Sequence, residues 1–210
     1  HKSYSISSEF LTHIRRSEKV FIMKRLLLIL ILTFSFQTLT KADDIRDFEI
    51  EGMSVGESLL NHISVEKIEN NIIPYFKDKR KYYVIKYVEN LNLYDDLEIY
   101  LKSDDNNYII KSISAGLYPD NLKECLKSKD DIVRNINSSL TIEFKESNYN
   151  HHYYINTVTY NSVATVKGGS IRVECIYYDL KDKANHDVID NLSIVSKSNE
   201  IEKWFKSNYE

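Results

Sequence analysis

The apolar positions of the chain follow three rhythms. From Leu26 to Leu32 they run unbroken, behind Lys24 and Arg25, and continue through Phe34 and Phe36. Between Tyr83 and Tyr118, and again over roughly 153–196, they alternate with polar residues, the period of a strand with one buried side. Over Leu122–Leu140 and Ile201–Tyr209 they recur every three or four residues, the spacing of an amphipathic helix.

These rhythms predict an ordered set of elements. Asp47 to Glu51 reads as a short strand entering a turn over Gly52–Ser58, since two glycines four apart mark a turn rather than a helix interior. A brief helix through Leu59, Leu60 and Ile63 follows. A second helix has Ser64 as its N-cap and Glu66 in its first turn, and it ends by Pro74, which pushes the preceding residue out of the helical region. Three strands come next. Tyr83, Ile85 and Tyr87 share a face of the first, and Leu97, Ile99 and Leu101 alternate with Glu98, Tyr100 and Lys102 in the second. The third runs from Tyr108 to about Tyr118 with Ile109, Ile113, Ala115 and Leu117 on one side, after turn chemistry at Asp104-Asp105-Asn106-Asn107.

Asp120 is expected to cap the longest helix, which ends between Ser138 and Lys145. A polar loop through Asn148 and Asn150 leads to strands near 153–166 and 171–178, joined around Gly168-Gly169. A strand over 188–196 and a helix capped by Ser198 close the series. Strands outnumber helices and adjoin through short turns. The expected fold class is therefore α+β: an antiparallel sheet with helices packed on one face, in a single domain over 43–210.

The unbroken apolar run is too short to cross a membrane, which takes about 20 residues. With basic flanks before it and the polar stretch Gln37–Lys41 after it, it reads as a signal peptide over 23–42, cleaved between Ala42 and Asp43. An uncleaved anchor or a buried helix is the alternative. Residues 1–22, ahead of Met23, read as an upstream extension. No membrane span is expected after signal removal.

Charge narrows the partners. The whole chain has a formal charge of −3, but residues 43–210 carry 21 basic and 29 acidic side chains, a charge of −8. That favours solubility and disfavours nucleic acid or anionic lipid. Sixteen tyrosines against five glycines and two prolines follow codon content, AT-rich against GC-rich, so the tyrosines do not by themselves indicate sugar stacking.

Cys125 and Cys175 are fifty residues apart, which excludes a CxxC redox motif and gives too few ligands for zinc. In an exported, oxidising setting they are expected to form a disulfide, with two separate buried thiols as the alternative. Closing such a loop contributes about 4 kcal/mol in a chain-entropy estimate.

No catalytic, metal or cofactor-binding residue is assigned from spacing, and no cofactor is expected. His151-His152 sit on one backbone run, where neighbours point to opposite faces. His186-Asp187 follows Asn185 and reads as a turn; His62 reads as partly buried. The acidic run at Asp104 lacks a calcium loop's distal glutamate, and Gly52–Gly56 lacks a phosphate-loop context. Arg172 and Glu174 share the strand face opposite Cys175 and read as a solvent-side ion pair.

The leader, the stretch Ile50–Leu60, Tyr108–Ser114, Cys125 and Arg172-Val173-Glu174-Cys175 together resemble a family of small, uncharacterised exported proteins of low-GC marine alphaproteobacteria. That resemblance implies a periplasmic address and no particular activity. Gly52-Met53-Ser54, followed by two short helices and three strands, is more weakly similar to the β-lactamase-inhibitor-like module of outer-membrane assembly lipoproteins, without its lipid-anchoring cysteine. The expected function is a non-enzymatic periplasmic or secreted protein that binds a protein or small-molecule partner in the envelope. The alternative is a periplasmic hydrolase whose site assembles only in the fold. A deep pocket holding two or more of His62, His151, His152, His186 and Glu174 would favour the hydrolase.

Overall fold

The computed structural model describes residues 44–73, 81–150, 157–186 and 188–209. The leader with its Ala42–Asp43 junction, His151-His152 and Asp187 lie outside the described residues. Two short strands, β1 (Glu49–Ile50) and β2 (Met53–Ser54), form a hairpin behind a 3₁₀ turn at Ile45–Asp47. A second 3₁₀ turn, Leu59–Asn61, precedes helix α1 (Val65–Asn70), and Ser64 caps α1 as expected, its hydroxyl accepting from the Lys67 amide.

Then come β3 (Ile72–Ile73), β4 (Tyr82–Tyr87), β5 (Asp96–Lys102) and β6 (Ile110–Leu117), followed by the long helix α2 (Leu122–Leu140). The remainder comprises β7 (Lys145–Asn150), β8 (Val158–Val166), β9 (Gly169–Tyr177), α3 (Leu180–His186), β10 (Asn191–Ser198) and α4 (Asn199–Tyr209).

Eight of the described strands form one antiparallel sheet in the order β3-β4-β5-β6-β10-β9-β8-β7. The domain is thus α+β and sheet-dominated. One face, carrying Ile85, Ile99, Ile113, Ile194 and Val173, is fully buried in the main core, to which α1 contributes Ile68 and α2 contributes Cys125 and Ile136. Burial of that many aliphatic side chains, each worth roughly 1.5–3 kcal/mol, is the main stabilising contribution. The disulfide Cys125–Cys175, with Cα atoms 6.0 Å apart, staples the first turn of α2 to β9. The smaller α4 lies across the other face, where Ile201 joins Tyr82, Val84 and Tyr100, and Trp204 tilts against Tyr82 at 4.9 Å between ring centres.

Four local expectations are corrected. Ile110, not Ile109, enters the core, because a bulge between Tyr100 and Leu101 shifts the register by one. Asn121 rather than Asp120 caps α2, its side chain accepting from the Glu124 amide. The polar stretch through Asn148 is the edge strand β7 and not a loop; paired on one side only, it needs no apolar alternation. Asn185 and His186 end helix α3 instead of forming a turn.

The β8–β9 hairpin does turn at the two glycines. Gly168 sits at φ +82°, and a Cβ on Gly169 would stand 2.1 Å from the Lys197 carbonyl oxygen, so neither position admits a side chain without strain. Among the described residues no helix is long and apolar enough to cross a membrane.

Candidate functional site

Strand register builds a groove on the sheet face away from α2. Successive residues of a strand point to opposite sides, so the core run Leu97, Ile99, Ile113 and Ala115 leaves Asp96, Glu98, Ser112, Ser114 and Gly116 on the far face. Ser193 and Lys197 of β10 and Arg172 and Glu174 of β9 reach the same space. Apart from Lys197, the two central strands carry mostly short side chains here (Ser112, Ser114, Gly116, Ser193) and the flanking strands long ones, which opens a cavity of about 460 Å³ that Phe205 of α4 also lines. Small-ligand sites are typically about 300–1,000 Å³.

On the β5 side, Asp96 is buried and accepts from the Tyr118 hydroxyl at 2.7 Å, with the Lys86 ammonium at 2.8 Å. A Cβ on Gly116 would fall 2.5 Å from the other Asp96 oxygen, so glycine there makes room for the carboxylate. Burial pushes the Tyr118 phenol well above its usual range, and the hydrogen bond to Asp96 adds to it. Glu98 accepts from Tyr100 at 3.0 Å; burial raises its carboxyl, with Asp96 adding and Lys86 opposing.

On the β9 and β10 side, Glu174 is buried, 3.4 Å from the Tyr149 hydroxyl and 3.7 Å from the Arg172 guanidinium. The expected same-face pairing of Arg172 with Glu174 is present, but on a groove wall and not on open surface. Burial raises the Glu174 carboxyl despite its cationic neighbours. Lys197 is held below its ordinary value, first by burial and then by Arg172.

Among the described residues, His62 and His186 do not line this space. His62 pairs with Glu57 at 3.1 Å and lines a separate cavity of about 320 Å³ with Glu51, Asn92 and Ile99, opening on the opposite face of β5 from Glu98. His186 ends α3. Of the three described residues among the five that would mark a hydrolase pocket, the groove contains Glu174; His151 and His152 lie outside the described residues. Among the described residues no group of three or more His, Cys, Asp or Glu side chains could hold a metal ion.

Sequence reasoning missed Asp96, Glu98 and Lys197 as site residues. Their alternation with core residues was visible, but strands of the soluble side look alike until topology places β10 beside β6. Comparison with known proteins returns no match to a family model, a curated protein or a solved structure.

Proposed function

We propose that the chain is an exported, periplasmic, non-enzymatic binding protein whose ligand enters the polar groove between β5 and β9. One observation carries the reading: charged groups line a cavity of small-ligand size whose floor holds the short side chains of Ser112, Ser114, Gly116 and Ser193. The signal-like segment and the disulfide support the address, since cross-links of this kind persist in oxidising compartments. The resemblance to small exported proteins fits the same address. The hydrolase alternative has less support, because Glu174 enters the groove without a histidine beside it in the described residues.

The test is retention of a small molecule. The purified protein is equilibrated with periplasmic extract and weighed by native mass spectrometry, beside a Ser114→Trp variant that fills the groove floor. Added mass on the native protein and none on the variant is the expected result. Equal retention by both, or none by either, overturns the reading. Intact mass of the exported chain checks cleavage after Ala42 and loss of two hydrogens.

A further inference from the structure

The two walls of the groove carry charges that are partly desolvated and poorly matched. Glu98 takes a hydrogen bond from Tyr100 on one oxygen, and among the described residues no cation lies within 4.0 Å of its carboxylate. Across the floor, the Arg172 guanidinium has Glu174 at the long distance of 3.7 Å, and its Nε is buried with no hydrogen-bond partner. The Lys197 ammonium has its nearest carboxylate, Glu202, at 3.8 Å. Protein interiors pair their buried charges, and exceptions call for an explanation. A ligand that brings an anion to one wall and a cation to the other supplies it.

Geometry sets the length of that ligand. Glu98, Ser114, Val195 and Arg172 occupy one row across four neighbouring strands. Three inter-strand steps of about 4.8 Å place the end Cα atoms about 14 Å apart. Strand side chains stand roughly perpendicular to the sheet, so the two charged ends are separated by a similar distance; with a contact of about 2.8 Å at each end, the remainder takes two to three residues of extended chain at about 3.4 Å each. Between the walls, the Ser114 and Ser193 hydroxyls, 3.3 Å apart, can donate to or accept from peptide groups.

From this, resting on the groove being the binding site, we infer that the ligand is a short zwitterionic peptide with its carboxylate against Arg172 and Lys197 and its ammonium against Glu98. A carboxylate between the partly buried Arg172 and Lys197 offsets the repulsion between the two cations and forms charge-assisted hydrogen bonds with the guanidinium. An ammonium at Glu98 supplies the counter-charge that Tyr100 cannot. A neutral sugar would leave both walls unmatched, and a polyanion would meet Asp96 and Glu98.

Calorimetric titration of the folded, disulfide-bonded protein with trialanine, N-acetyl-trialanine, trialanine amide and maltotriose tests this. Saturable binding of trialanine is expected, weakened about tenfold or more by blocking either end. Arg172→Met should weaken the sensitivity to amidation and keep that to acetylation, and Glu98→Gln should weaken the sensitivity to acetylation and keep that to amidation. Equal binding of blocked and free peptides, or no binding of trialanine at millimolar concentration, overturns the inference whether or not the variants fold. If maltotriose binds and Ser114→Trp abolishes it, the zwitterion fails while the groove stands. If no probe binds and the extract leaves no added mass, both fail.

Discussion

The Lys129 ammonium lies 2.6 Å from the Ser162 hydroxyl, which in turn donates to Glu146 at 2.6 Å, while Lys129 also reaches Glu146 at 2.9 Å. This closed triangle ties α2 to β7 and β8 on the core face. Lys129 is almost fully buried, whereas most of the Glu146 side chain is in solvent. Burial pushes the Glu146 carboxyl up, but the Ser162 hydroxyl and the Lys129 charge together hold it below its usual value.

Removing one partner of this triangle has unequal consequences. Lys129→Met keeps the apolar stem and removes the buried charge, so it should change stability by less than about 1 kcal/mol. Glu146→Ala strands the ammonium with Ser162 and the more distant Asp130 and should cost about 1–2 kcal/mol. Urea unfolding of both variants ranks them; a costlier Lys129→Met would contradict this account.

The disulfide should account for a large share of stability. It closes a loop of 50 residues, worth about 4 kcal/mol in the chain-entropy model. The Cys125→Ala/Cys175→Ala double variant, or the native protein in reductant, should unfold at lower denaturant with a free energy smaller by about 3–4 kcal/mol. An unchanged midpoint would mean that the unfolded chain gains no freedom when the cross-link is lost, against the chain-entropy account.

Gly116 and Asp96 should behave as one unit. Gly116→Ala forces Asp96 away from its position beside Lys86 and Tyr118 and should cost about 1–3 kcal/mol. In an Asp96→Ala background the same change should cost much less, and the interaction energy from the double-mutant cycle measures the difference. Additive costs would show that the clash is taken up elsewhere.

Glu174 gives a pH dependence of defined sign. Its carboxyl is raised in the folded protein by burial. Below the unfolded value, about 4.3 for glutamate, both states hold the proton and burial carries no charge penalty. As pH climbs, the unfolded chain releases its proton first, so this contribution to stability is lost on passing through the folded value. Glu174→Gln should therefore be more stable than the native protein at neutral pH and equal to it near about pH 4. Denaturant unfolding across that range checks it; a Gln variant weaker at neutral pH would mean that the Arg172 contact outweighs burial.

What could be read from the chain divides along physical lines. Alternation at Leu97–Lys102 and helical spacing at Leu122–Leu140 are local signals, and both elements stand where they were expected. Cys125 and Cys175 were legible as a pair because only two cysteines had to be matched. Ile109 and Ile110 could not be told apart, since a bulge is set by the partner strand. Lys129 sits on the buried stripe of α2 as a charge, against every pattern rule, because its partners Glu146 and Ser162 are supplied by other elements. The groove was invisible for a related reason: Glu98 and Arg172 belong to strands whose neighbourhood depends on β10.

The position of β10 governs how the molecule comes together. Ser114 and Ser193 face each other across the middle of the sheet although 79 positions separate them along the chain. Residues 191–198 alone join β3–β6 to β7–β9 in this sheet, so without them β6 and β9 would each carry a raw edge of unsatisfied amides and carbonyls. A single late segment seals both at once, like a keystone. A chain lacking it would present two unpaired sheet edges, the arrangement that invites edge-to-edge polymerisation.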